Sequence, residues 1–148
     1  MKKILAIAVL LFCCSKLVMA DDPEWLTDFA QAKRQAAERK LVILADFSGS
    51  DWCGWCKKLD REVFSQPEFK EFARENLVLF LADFPRAKEQ SPELKSQNRK
   101  LQKQYGVQGF PTVFLLKPDG AVLARTGYLP GGAKAYVEHL RELLSKAH

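Results

Sequence analysis

Histidine is scarce in this sequence: His139 and His148 are the only two in 148 residues. A structural zinc site takes four ligands, usually two Cys-X-X-Cys pairs or one pair with added histidines. The single pair here, Cys53 and Cys56, has no histidine at a ligand spacing, so zinc is a poor reading and no metal or other cofactor is implied. Cysteine is scarce too. Of the four, Cys13 and Cys14 fall near the N-terminus, which leaves none for the stapled scaffold that small secreted domains use. Stability must come from a hydrophobic core, and a chain of this length can build one as a single domain. There is no internal repeat, linker or low-complexity tract. The apolar stretch I-L-A-I-A-V-L-L-F near the start is too short to span a bilayer comfortably.

That stretch follows Met1-Lys2-Lys3 and leads to Val18-Met19-Ala20, the order of a basic n-region, an apolar h-region and a peptidase site. Residues 1–20 therefore read as a cleaved secretory signal peptide, with residues 21–148 as the exported domain, periplasmic or otherwise extracytoplasmic. An uncleaved anchor fits the peptidase site less well. Lipidation at Cys13 or Cys14 lacks the small preceding residue of a lipobox, since Phe12 or Cys13 stands there. With the leader go Lys2, Lys3 and Lys16 and no acid, so the formal charge falls from +5 to +2. The basicity is a targeting feature, and no nucleic-acid partner is implied.

Along the exported part, residues 23–39 read as a helix with Trp25, Phe29, Ala32 and Ala36 on one face. Residues 41–47 form a nearly unbroken apolar run, as in a strand buried on both faces. A loop over 48–52 leads to a helix beginning near Cys53. That helix is interrupted at Ser65-Gln66-Pro67-Glu68, where Ser65 and Glu68 have capping-box spacing. Residues 77–83 read as a second buried strand. Ser91-Pro92-Glu93 opens a polar helix with a thin stripe of Leu94, Leu101 and Tyr105. Residues 112–116 and 121–126 flank Lys117-Pro118-Asp119-Gly120 as a hairpin. A last helix over 132–146 buries Tyr136, Leu140, Leu143 and Leu144. The order α-β-α-β-α-β-β-α defines an α/β class with one mixed central sheet and helices on both faces.

The chemistry centres on Ser50-Asp51-Trp52-Cys53-Gly54-Trp55-Cys56-Lys57-Lys58. A disulfide across two intervening residues closes a very short loop and gives little leverage over the unfolded chain. At a helix start, however, free N–H groups and the positive dipole end stabilise a thiolate. Cys53 would sit there, exposed, as nucleophile. Cys56, nearly one turn further in and more buried, would resolve the mixed disulfide. Lys57, four residues after Cys53, reads as a solvated surface charge. Asp51 would oppose thiolate formation or serve as a helix cap.

W-C-G-W-C-K, preceded by A-D-F and followed far downstream by Y-G-V-Q-G-F-P-T, resembles the thioredoxin superfamily over essentially all of residues 23–147. The segment around S-D-W-C-x-x-C-K-K-L-D-x-E-V-F-S-x-P-E-F is further similar to its extracytoplasmic Dsb-type members. The resemblance implies a thioredoxin-like fold and thiol–disulfide exchange. It implies that Pro111 is the family's cis-proline, opposite Cys53, and that Phe110 offers backbone groups to an extended substrate peptide. It makes Asp46 the buried acid beneath the cysteines, a proton acceptor for Cys56. A strand-end aspartate bonded to loop amides is the competing reading of Asp46. Two departures stand out: the loop from Asp46 to Cys53 is one residue longer than usual, and Leu79-Phe80-Leu81 replaces a strand that commonly carries a lysine. Trp52 matches the tryptophan before the first cysteine. With Trp55 and Phe110 it would form an apolar rim for substrates, or simply pack the loop.

Gly54-Trp55 between the cysteines adds no cation or strong hydrogen-bond donor, which favours a reductant or isomerase over an oxidant. The expected partners are disulfide-bearing or unfolded secreted proteins and a membrane-linked thiol donor, with the protein acting as a monomer. Two alternatives use the same residues: a dithiol oxidase that introduces disulfides, and a peptide-binding chaperone whose cysteines are dispensable.

Overall fold

The computed structural model describes residues 21–146, so the expected signal peptide lies outside the described residues. Strands β1 (Trp25–Leu26), β2 (Val42–Ser48), β3 (Leu77–Asp83), β4 (Thr112–Leu116) and β5 (Val122–Thr126) form one sheet in the order β1-β3-β2-β4-β5. β3 is parallel to β1 and β2, while β4 is antiparallel to β2 and β5, so the sheet is mixed. The helices are α1 (Phe29–Arg39), α2 (Gly54–Leu59), α3 (Pro67–Asn76), α4 (Pro92–Gln104) and α5 (Gly132–Ser145). A π-helical turn, Asp60–Phe64, continues α2 without a break, closed by Ser65 N–H donating to the Asp60 carbonyl at 2.8 Å.

Period-2 alternation in the two central strands sorts their side chains between two cores. Leu44, Leu77, Leu79, Val113 and Leu115 face α2, α3 and α5, where Leu59, Phe64, Phe69, Tyr136 and Leu140 close over them. Ile43, Phe47, Phe80, Phe114 and Leu116 face the other way, against Phe29, Ala32 and Ala36 of α1 and Leu101 of α4. Both strands are thus apolar on both sides, which is why they read as continuous runs. Each fully buried Leu or Phe stabilises the fold by ~1.5–3 kcal/mol. Asp46 belongs to the first face of β2, between Leu81 and Val113 in register.

The N-terminal segment differs from the expected helix over 23–39. Trp25 and Leu26 add a short edge strand to β3, and α1 starts only after Asp28, whose carboxylate caps it by accepting Gln31 N–H at 3.0 Å. Trp25 packs on the Phe64 side of the sheet, at 5.1 Å between ring centroids, and not with Phe29. The capping box also fails to form. Ser65 terminates the π turn, and α3 begins after Gln66 with Pro67 in its first turn and no side-chain cap. In α4, Ser91 caps as expected, but Asn98 is buried beside Leu101, donating to the Asp83 carbonyl at 2.9 Å.

Candidate redox site

Cys53 and Cys56 are joined as a disulfide at the start of α2. Cys53 is the N-cap, and its Sγ accepts the Cys56 N–H at 3.2 Å. One of the helix's free N–H groups is therefore already aimed at the sulfur that would carry the thiolate. The expected contrast in exposure is slight: Cys53 is 7% exposed and Cys56 5%. The reason is local, since the capping geometry turns Cys53 Sγ back onto the first turn of its own helix.

Beneath the pair lies a cavity of about 300 Å³ lined by Cys56, Asp46, Asp60, Lys57, Ser48 and apolar neighbours that include Leu81. Asp46 Oδ1 is buried there without a hydrogen-bond partner. Burial foremost, then the negative charges of Asp60 and Asp83, push the Asp46 carboxyl up to about 8. No loop amide holds Asp46 Oδ1, and Leu81 puts no cation opposite it. Lys57 is exposed at the cavity's edge.

Pro111 follows a cis peptide bond with Phe110 and leads directly into β4. Phe110 packs edge-on against Trp52, with ring centroids 6.0 Å apart, which brings this segment beside the cysteine loop. Phe84 stacks on Phe110 with ring centroids 4.9 Å apart. Trp52 Nε1 donates to the Phe84 carbonyl at 2.8 Å, and the Arg86 guanidinium lies 3.8 Å from the Trp52 ring centroid.

Trp55 does not join this group. Its ring is 57% exposed and leans on Tyr128 at 5.2 Å, while Lys58 Nζ stands 5.1 Å from the Trp55 ring and 5.2 Å from that of Tyr128. Tyr128 is held by its hydroxyl, which donates to Glu62 Oε2 at 2.8 Å. The expected single rim of Trp52, Trp55 and Phe110 is two separate aromatic clusters. Phe84, Arg86 and Tyr128 carry no motif signal in the sequence, because they reach the site from loops distant in the chain, and Lys58, in α2 beside Trp55, reads there only as a surface charge.

Asp51 also departs from expectation. It neither caps α2 nor points its charge at the cysteines. Its carboxylate accepts the backbone N–H groups of Arg86, Ala87 and Lys88, at 2.7–3.1 Å. The Arg86 N–H foremost, with those of Lys88 and Ala87, holds its pKa down to about 2.

A cysteine pair at the start of a helix, a cis-proline entering the adjacent strand and a mixed sheet in this order define a class. The chain belongs to the thioredoxin-like domain family, which matches residues 29–142, and is a thiol–disulfide oxidoreductase of that fold. Among its relatives, the disulfide bond reductase DsbH of Chlamydia pneumoniae is 35% identical over 127 residues, which is 86% of this chain and 76% of that protein. A solved structure of the DsbH oxidoreductase superposes with a TM-score of 0.81 at 34% identity, covering 88% of this chain and 90% of that one. The reduced C-terminal domain of DsbD from Neisseria meningitidis superposes with a TM-score of 0.54 at 28% identity, covering 76% of this chain and 90% of that one.

Proposed function

We propose that this protein reduces or isomerises disulfides of exported proteins through the Cys53-Gly54-Trp55-Cys56 pair. The observation that carries the reading is the capped disulfide itself: Cys53 Sγ is held by a single helix N–H, with the partnerless Asp46 carboxyl sharing a cavity with Cys56. In the reduced protein the Cys53 thiolate attacks one sulfur of a client disulfide. A Cys53–client bond forms, and the other client sulfur leaves as a thiolate that takes a proton from solvent. Cys56 then gives its proton to Asp46 in its ionised fraction, which grows as pH approaches about 8, and attacks Cys53 Sγ. The second client thiolate leaves, and the Cys53–Cys56 disulfide returns with two electrons passed to the client. Pro111 and Phe110 offer the edge along which an extended client segment lies, beside Trp52.

The direction rests on what surrounds Cys53. Gly54 and Trp55 bring no charged donor, and the negative charge of Asp51 is taken up by three N–H groups of another loop. Asp51 thus disfavours the thiolate less than its place in the sequence suggests, while nothing added replaces it with a favourable charge. About 30 mV corresponds to ~1.4 kcal/mol, so lacking one charge-assisted hydrogen bond shifts the poise by tens of millivolts toward a reductant. Similarity to a disulfide bond reductase supports the same direction. Residues 1–20 act as the export signal, and a membrane-linked thiol donor re-reduces the pair, because the periplasm holds no glutathione-like reducing pool.

Cys56→Ser tests the assignment. It removes the resolving thiol, so mixed disulfides on Cys53 accumulate and identify client and donor together. Wild-type protein is expected to reduce insulin disulfides. A potential near that of strong oxidases with no insulin reduction would overturn the direction, and absence of adducts through Cys53 would overturn the roles of the two cysteines.

A further inference from the structure

We propose that Asp51 is a positioning residue for disulfide-bearing protein clients, pinning the 86–88 tip to the cysteine loop so that Arg86 is held over Trp52 as the cationic edge of an aromatic docking wall, Trp52, Phe84 and Phe110, beside Cys53. The inference rests on the exchange reading above. It starts from a carboxylate two residues from the redox pair that does nothing for the pair directly. Asp51 has no ion-pair partner within 4 Å among the described residues, and Cys53 takes the capping role itself. Instead, three consecutive backbone N–H groups converge on it: Arg86 on both oxygens at 3.0 and 3.1 Å, Ala87 at 2.7 Å and Lys88 at 2.9 Å. Successive amides turned onto one anion form a backbone nest, here filled by a side chain of the active-site loop.

The base of the 84–88 segment, Phe84 included, is secured without Asp51: Phe84 N–H donates to the Ser48 carbonyl and the Phe84 carbonyl accepts Trp52 Nε1–H, each at 2.8 Å. Asp83 accepts Ser50 N–H at 2.9 Å and Ser50 O–H at 2.6 Å, and its carbonyl accepts from Asn98 and Gln90. Only the tip depends on Asp51. That tip places Arg86 over Trp52, and with Phe84 stacked on Phe110 it completes a wall with one cationic edge. The carboxylate stays ionised far below neutral pH, so the clamp is permanent and does not switch with pH. A small disulfide reaches sulfur without touching the wall. A disulfide-bearing client chain must lie against it, so a loose cationic edge costs affinity for protein clients more than for small disulfides.

Asp51→Asn and Asp51→Glu, in the otherwise complete exported protein, provide the test. Exchange rates are measured with insulin and with a small aromatic disulfide, together with the redox potential and amide exchange at Ala87 and Lys88. Asp51→Asn is expected to lower kcat/KM for insulin about tenfold more than for the small disulfide, mainly through KM. The Ala87 and Lys88 amides should exchange faster, and Asp51→Glu should restore most of the ratio. Equal losses on both substrates with a shifted potential would make Asp51 an electrostatic modulator of Cys53 and overturn the proposal. So would a ratio within about twofold of wild type, or unchanged amide exchange. The ratio is read in whichever direction wild-type protein exchanges with insulin, oxidised or reduced. A protein that only oxidises therefore defeats the direction assigned above while the clamp is still judged by its own ratio.

Discussion

Replacing Asp46 with asparagine removes the one buried charge site beneath the redox pair while keeping its size. In an unfolded chain this carboxyl ionises near its ordinary 3.8, but in the native protein it keeps its proton up to about 8. Between those values the native state holds a proton that the unfolded state has lost, so stability falls as pH rises from about 4 to about 8 and levels off above. Roughly four pH decades at ~1.4 kcal/mol each put the full loss near 6 kcal/mol, and about 4 kcal/mol of it has been lost by pH 7. Water entering the cavity of about 300 Å³ next to Asp46 solvates the charge and reduces these figures. A gain of about 2–4 kcal/mol is therefore expected for Asp46→Asn at pH 7. Guanidinium unfolding of the disulfide form at pH 5, 7 and 8.5 reads it directly. The two proteins should differ by only about 1 kcal/mol at pH 5 and increasingly above. The same substitution should slow release of client mixed disulfides from Cys53 and remove any rise of that rate toward pH 8. A stability difference that does not grow with pH, or an asparagine variant less stable at pH 7, would refute the assignment of an unpaired, desolvated carboxyl.

Two further substitutions probe the two aromatic clusters. A Cβ on Gly49 would fall 2.5–2.7 Å from the Trp52 indole, so Gly49→Ala should displace the ring, break its bond to the Phe84 carbonyl and cost about 1–3 kcal/mol. Near-ultraviolet dichroism and thermal unfolding check this, and wild-type spectra and stability would contradict the packing described. Tyr128→Phe deletes the hydroxyl bonded to Glu62 at 2.8 Å and should cost about 1 kcal/mol, with increased mobility of Trp55 in its fluorescence anisotropy. An unchanged anisotropy would mean that Lys58 alone holds Trp55.

Most of the scaffold was legible because periodicity and breakers agreed. β2 and β3 are apolar on both faces, the Lys117–Gly120 turn separates β4 from β5, and Gly132–Ser145 carries a clean stripe. The cysteine pair and Asp46 were legible through motif and strand face. What failed did so for identifiable reasons. Trp25 matches the helical spacing of Phe29, Ala32 and Ala36, yet the Asp28 cap starts the helix after it and leaves it to pair with Leu79. Ser65 and Glu68 have the right spacing for a capping box, but the wide π turn claims Ser65 as its own end. The role of Asp51 is not legible locally, because it depends on amides 35–37 residues away, while its neighbour in sequence is Cys53. Sequence proximity groups Trp55 with Trp52, but Trp52 stands in the turn before α2 and Trp55 in the first turn of that helix, so the two indoles meet different neighbours.

The sheet's two borders have a consequence for life among unfolded chains. β1 contributes only two residues, and β5 is five residues long, opposite an irregularity at Leu115/Leu116, with Arg125 on it. An exposed strand edge is a template for polymerisation, and short, bulged or charged edges are the common safeguards. On the proposed function, client chains lying along Pro111 would otherwise be free to stack along the sheet. With two residues at one edge and an irregular, Arg-bearing strand at the other, the sheet offers little for an added strand to pair with, which on the proposed function keeps a client from remaining as an extra strand after exchange.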